Sequence, residues 1–254
     1  VELCLLTPDD PSTAHVESIQ IDNGGEARNL ALFFQRNALC PSPSSSSATP
    51  VVDLVADHPV SVDGLYLDLS PEGGCASGTR PGIRITGAAN LGVGGSSLHG
   101  WSRFAVARDP FSDAVDVVIG NSRISGGTGV AVENTGPIFL GSTEVIRNRL
   151  RESDGGSALV SPSLGSAGLS IKDSLFFKNF VERAPSQDRA LIRGTGVLWR
   201  NVFVGNVLSP EASLLELGVD ELPVRSLEIV GEIAEHGVRD NVVRDNRHVA
   251  DIGG

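Results

Sequence analysis

The chain has no methionine, one tyrosine, two tryptophans and three cysteines among its 254 residues. Without Met, Val1 is no ordinary translation start, so a processed product or an excised fragment is expected. A removed secretory signal fits that expectation. With so few Tyr and Trp, the core has to come from Val, Ile, Leu and Phe. No apolar run approaches the roughly 20 residues that cross a bilayer as a helix; Leu30-Ala-Leu-Phe-Phe34 is typical of the longest. No membrane span is expected. Positive charge is also scarce. Twenty Lys and Arg stand against 31 Asp and Glu, for a net charge of -11 and a pI near 4.9. Nucleic-acid binders concentrate basic surface, so a nucleic-acid partner is not expected. The acids are scattered and read as a solubilising surface.

Cys4, Cys40 and Cys75 are spaced 36 and 35 residues apart, with no Cys-x-x-Cys pair and no His at zinc-ligand spacing. Zinc is therefore not expected. In an exported protein one disulfide among the three is expected, the third thiol being left over or paired with another chain. The alternative is three unpaired, partly buried thiols.

What the chain does have is glycine, 30 residues of it, 14 prolines, and a six-residue pattern that recurs four times. The copies are Thr143-Glu-Val-Ile-Arg-Asn148, Ser174-Leu-Phe-Phe-Lys-Asn179, Asn201-Val-Phe-Val-Gly-Asn206 and Asn241-Val-Val-Arg-Asp-Asn246. Each begins with a small polar residue, continues through an apolar pair or triplet, and ends on Asn. A β-branched or aromatic centre fits a short strand, and Asn tolerates the left-handed backbone that turns out of one. Recurrence of a strand-plus-turn unit predicts stacked coils. The closing asparagines are 31, 27 and 40 residues apart, which suits one coil with loops of varying length. The last interval needs a longer excursion or an extra strand near Leu227-Glu-Ile-Val230.

Elsewhere the signals are shorter. Val16-Glu-Ser-Ile-Gln-Ile21 alternates as a strand does, and Asp22-Asn-Gly-Gly25 reads as a turn. Asn29 to Asn37 reads as strand and turn, with a short helix as the alternative. Pro41 to Pro50 is a Ser/Pro stretch, read as a protruding loop because strand signals resume at Val51-Val-Asp-Leu-Val55 and Val60 to Leu69. Gly82-Ile-Arg-Ile-Thr-Gly87 is a strand. Leu91 to Leu98 is too glycine-rich for a helix, reads as turn-rich, and lacks the context of a nucleotide fingerprint. From Val115 onward short strands and polar corners follow one another. We expect one domain over residues 1–254, with 1–15 as a cap or lead-in and 41–50 as the loop.

This arrangement resembles the right-handed parallel β-helix of the pectin-lyase-like group, well over residues 115–250 and less well over 16–114. The resemblance implies eight to ten coils about 4.8 Å apart, a rod of roughly 40–50 Å. It also implies that Asn148, Asn179, Asn206 and Asn246 occupy equivalent corners as an asparagine ladder, a structural role. An antiparallel β-sandwich is the rival all-β fold.

Members of this group commonly act on polysaccharides, so the resemblance raises that activity as an expectation. The pectin-hydrolysing members share paired aspartates, a His-Gly element and an Arg-x-Lys element. This chain has His99-Gly100 alone. Its adjacent aspartates, Asp9 and Asp10, lie near the start, and Arg84-Ile85-Thr86 lacks the lysine. Hydrolysis needs an acid beside a second carboxylate, and no spacing here selects a pair. The lyase members suggest calcium, for which Asp53, Asp57, Asp63 and Asp68 could supply oxygens, although no motif supports it. Arg84 or Arg103 as the lyase base would require a special environment.

His15, His58, His99, His236 and His248 are dispersed. His99, Trp101 and Arg103 form the candidate ligand patch: an aromatic face for a sugar ring flanked by polar groups for its hydroxyls. Truncating Trp101 should then weaken sugar binding; the competing reading has Trp101 covering a coil end or loop. There is no Gly-x-Ser-x-Gly nucleophile elbow. Arg147 and Lys178 share a repeat position that Gly205 and Asp245 occupy later, so no continuous basic track forms.

No reaction is specified by these residues. The leading expectation is a secreted or cell-surface β-helix with a structural, adhesive or assembly role, as a segment of a larger protein or alone. Self-association or pairing with other surface proteins follows from its open strand edges. The alternatives are a polysaccharide lyase or glycoside hydrolase with a diverged site, and a noncatalytic glycan-binding spike.

Overall fold

The computed structural model describes residues 2–5, 15–16, 19–23, 29–34, 38–41, 49–69, 80–108, 115–151, 153–162, 168–182, 189–209, 212–217 and 238–248. Among them every regular element is a β-strand, and no helix is long and apolar enough to cross a membrane. The strands form one 20-stranded and one nine-stranded sheet, and every strand pair is parallel. An antiparallel sandwich is thereby excluded.

Three parallel ladders run through these sheets. The first contains Leu30–Phe34, Val60–Asp63, Leu91–Gly94, Val117–Gly120, Ile138–Gly141 and Gly168–Lys172. The second, the nine-stranded sheet, contains Tyr66–Asp68, Ser97–His99, Arg123–Ser125, Glu144–Ile146, Leu175–Phe177, Val202–Val204 and Val242–Arg244. The third runs through Val52–Ala56, Ile83–Thr86, Ser102–Arg108, Thr128–Asn134 and Ala158–Pro162. One long strand, Ala190–Trp199, pairs in the third ladder by its first half and in the first ladder by its second half. That strand joins the two ladders into the 20-stranded sheet.

Alternation places the apolar half of each strand inward. In the second ladder the middle residues Leu67, Leu98, Ile124, Val145, Phe176 and Phe203 are all buried and stack in register. The Phe176 and Phe203 rings stack 5.0 Å apart with planes inclined by 15°. In the first ladder Val62, Val93, Ile119, Leu140, Ile171 and Leu198 form the equivalent inner column. These columns belong to one contiguous buried core.

The corners between ladders show how the recurring hexads work. Asn148, Asn179 and Asn206 are buried, with Asn246 next in the column. The Oδ1 of Asn179 accepts from the backbone N–H of Asn148 at 3.0 Å, and Asn206 and Asn246 do the same for Asn179 and Asn206. Each Nδ2 also donates to a carbonyl of an earlier strand: Ile124, Val145, Phe176 and Phe203. Backbone groups that the bend strips of partners are thus satisfied inside the protein.

Two details differ from expectation. The left-handed turn expected at Asn falls on the residue before it: Arg147, Lys178, Gly205 and Asp245 have φ of 54°, 52°, 64° and 57°. Asn contributes its amide instead, because the inward-facing position after the turn needs a donor and an acceptor. The hexads' opening residues also form a second ladder. Backbone N–H groups of Leu65, Ser96, Thr143, Ser174 and Asn201 donate to the side-chain oxygens of Ser96, Ser122, Ser174, Asn201 and Asn241, respectively.

The early segments resolve similarly. Val60 to Leu69 is two strands broken at Gly64, whose φ is +70°. The turn-rich reading of Leu91 to Leu98 is replaced by the strands Leu91–Gly94 and Ser97–His99. Leu91, Val93 and Leu98 point inward there, and Gly92 and Gly94 take the outward positions, which need no side chain. Leu30–Phe34 is a strand, and Asn37 lies outside the described residues. So do residues 1 and 6–14 of the lead-in, the centre of the 41–50 loop, and Leu227 to Val230. Cys4 pairs in register with Phe33 and Cys40 with His15, on different ladders, while Cys75 lies outside the described residues.

Candidate functional site

The proposed patch of His99, Trp101 and Arg103 is not one surface. His99 ends a strand of the second ladder, Trp101 turns the corner, and Arg103 begins the third ladder at a φ of +65°. Trp101 is 1 % exposed, so its ring is unavailable to a sugar. A Cβ on Gly127 would come within 2.0 Å of the indole, which therefore lies directly on that glycine. Covering the corner is what Trp101 does. Its truncation removes packing rather than a ligand contact.

His99 instead belongs to a groove on the outer side of the second ladder. Tyr66, Asp68, Ser97, Arg123, Ser125, Gly126, Ile146 and Arg147 complete a cavity of about 380 Å³. The strands place these groups by register alone. Asp68, His99, Ser125 and Ile146 are partners on four successive strands, as are Tyr66, Ser97, Arg123 and Glu144. Parallel neighbours stand about 4.8 Å apart, so each column is a close-set row of side chains.

Within the first column, His99 Nδ1 and Ser125 Oγ are 2.9 Å apart. Gly126 makes room for this pair. A Cβ there would approach His99 Cε1 to 2.5 Å, and its φ of +64° also favours glycine. The imidazole thus rests on a bare backbone and is held in its plane. Arg123 faces Glu144 at 3.7 Å across an exposed edge. Arg147 makes no ion pair with another described residue, leaving its charge to the groove. Ser125, Tyr66 and Arg147 were not singled out as a site by sequence reading. Parallel register brings them together, and no local motif encodes it.

The acids weighed for calcium are not convergent. Asp53 lies on the third ladder, Asp63 on the first and Asp68 on the second, with Asp57 just beyond the third-ladder strand. Asp53 is engaged by Arg84 through Nε at 2.9 Å and Nη2 at 2.6 Å. Among the described residues no group of three or more His, Cys, Asp or Glu is placed to hold a metal ion. Asp9 and Asp10 lie outside the described residues.

Three arginines are buried for a different purpose. Arg80 donates to the carbonyl of Thr49 through Nε and Nη2, at 3.0 and 2.8 Å. Arg108 holds Asn134 Oδ1 at 3.0 Å and the carbonyls of Gly87 and Ala89. Arg189 reaches the carbonyls of Arg151 and Asp154. Each guanidinium secures loop carbonyls against the core, which is a structural use of its several donors.

The chain matches no family model, no curated protein and no solved structure.

Proposed function

We propose that the chain is a right-handed parallel β-helix of the pectin-lyase-like kind that acts outside the cell as a structural or adhesive element, assembling through its side. The outer surface of the first ladder carries this reading. Of the eight large apolar residues exposed among the described residues, five are there: Phe33, Val118, Phe139, Val197 and Trp199. Val118, Phe139 and Val197 share one column, interrupted by Ser170. Beside them Gly120 and Gly141 lie in a column with no side chains to hold a partner away, while the Asp63 carboxylate covers the next position, Gly94. A partner laid on this strip removes apolar area from water at about 25 cal/mol per Å².

Sedimentation velocity over a concentration series tests it. The wild-type chain should associate, and Val118→Asp with Phe139→Asp should yield monomers with an unchanged far-UV spectrum. Association that survives both substitutions would remove this strip as the interface. A wild type that stays monomeric would leave only binding to other surface proteins.

The second reading is glycan recognition, for which the groove around His99 speaks. It offers a half-exposed tyrosine, hydroxyls and two arginines, but one carboxylate, Asp68. Glycoside hydrolysis ordinarily uses two. Of the carbohydrate readings, binding without glycosidic cleavage therefore fits these groups better than a lyase or hydrolase.

A further inference from the structure

The column Asp68, His99, Ser125 orders an acid, a base and a hydroxyl on three successive strands, and the hydroxyl is already hydrogen-bonded to the base. Those are the roles, in spatial order, that acyl-transfer catalysis requires, and they recur on unrelated folds regardless of sequence order. Ser125 sits in the floor of the groove at 6 % exposure, with the cavity open above it. His99 is fixed on Gly126. We propose that Ser125 is an acyl-transfer nucleophile with His99 as its general base, acting on small carboxylic esters that carry an anionic group.

The step balances without any further reagent than ester and water. Ser125 Oγ gives its proton to His99 Nδ1 as its lone pair bonds the ester carbonyl carbon. The tetrahedral intermediate expels the alkoxy group, which leaves as the alcohol with the proton from His99. Water, deprotonated by His99, then attacks the acyl-serine, releasing the carboxylic acid and returning the proton to Ser125 Oγ. The charge of Asp68 in the same column favours the imidazolium formed in between. The preference for an anionic ester comes from Arg147, with Arg123 beside it; both residues line the cavity, and Arg123 also faces Glu144 at 3.7 Å. The cavity of about 380 Å³ has room for a small ester.

The test uses the 254-residue chain and a fluorophosphonate probe, read by intact mass and peptide mapping. One adduct should form, at Ser125. It should be absent in Ser125→Ala, and its formation should slow by roughly 100-fold or more in His99→Gln, the range typical of a lost general base. Ser61→Ala, which removes a hydroxyl on the first ladder away from the groove, should label as the wild type does. No adduct, an adduct elsewhere, or labelling indifferent to His99→Gln in a variant of unchanged thermal midpoint would overturn the assignment. p-Nitrophenyl acetate and p-nitrophenyl hemisuccinate then separate the substrate class. The anionic ester should be hydrolysed faster, with the advantage lost in Arg147→Gln. Equal rates in the wild type would overturn the anionic preference. None of this depends on side-to-side assembly, which can fail without affecting the labelling.

Discussion

The corner between the second and third ladders is built in two ways along the same molecule. From Asn148 onward it is filled by amides that bond from strand to strand. Before that, Trp101 and Gly127 occupy it, a large indole laid on a residue without a side chain. The two meet where the N–H of Gly127 donates to Asn148 Oδ1 at 3.1 Å. The geometry of the bend is shared, and its stabilisation is not. One solution relies on apolar volume, the other on satisfying polar backbone. This difference shows that a repeated backbone need not leave a repeated sequence.

The sharpest way to break the comparison is at its apolar end. Trp101→Ala should cost about 3–5 kcal/mol, the range for emptying a large buried aromatic site, measured by urea unfolding. In the amide half, Asn179→Ala removes an acceptor for the Asn148 N–H and a donor to Val145. A loss of about 2–3 kcal/mol is expected from buried groups left without partners. Asn246→Ala should cost less, because its bonds are only part-buried. Equal losses at Asn179 and Asn246 would show that burial does not set the ladder's strength.

A smaller effect isolates the turn itself. At Gly205 an added Cβ meets nothing closer than Lys178 Cγ at 3.5 Å, so space is available. Gly205→Ala should then cost about 1–2 kcal/mol, from the left-handed backbone alone. A neutral result would mean the turn relaxes freely.

The smallest effect lies at the exposed corner, where Arg200 grips Asp173 through Nε and NH2 donors at 2.7 and 2.8 Å. That hydrogen bonding, with the charges of Arg200 and Lys172, holds the Asp173 carboxyl below its ordinary pKa. A folded-state value below the unfolded one gives stability that is present above the unfolded carboxylate range and lost as pH falls through the folded value. In Arg200→Gln the Asp173 titration, followed by carboxyl NMR, should move upward. An unmoved titration would assign the shift to other charges. Because the pair is exposed, the change in thermal midpoint should be slight.

The comparison also explains what could be read in advance. The Asn hexads were legible because the amide solution demands one residue type at one position, and so leaves a mark at each repeat. The indole solution needs only volume, so the sequence leaves Trp101 two roles, a sugar face beside His99 and Arg103 or a cover for a coil end or loop, and its burial selects the second. Gly92 and Gly94 hid a strand for a related reason: outward positions on a flat ladder place no demand on the side chain. The groove was the least visible feature. Asp68, His99 and Ser125 are 31 and 26 residues apart in sequence, and only the pairing register makes them neighbours.

Both side-chain ladders also have a direction. In every backbone-to-side-chain bond of these ladders, the N–H of the earlier strand donates to the side-chain oxygen of the later one, while each Asn Nδ2 also donates back to an earlier carbonyl. The Asn amides repeat that sense, Nδ2 of Asn148, Asn179 and Asn206 each reaching forward to the next Oδ1. For these N–H groups the column is an arrow: its early side is met inside the stack, where the N–H of Gly127 reaches Asn148 Oδ1, and its N–H donors face the late side. A copy added at the late side could continue these bonds only with its strands running in the same sense, its side-chain oxygens turned toward those N–H groups. Such a contact would join two unlike surfaces, a heterologous arrangement rather than a self-matching pair.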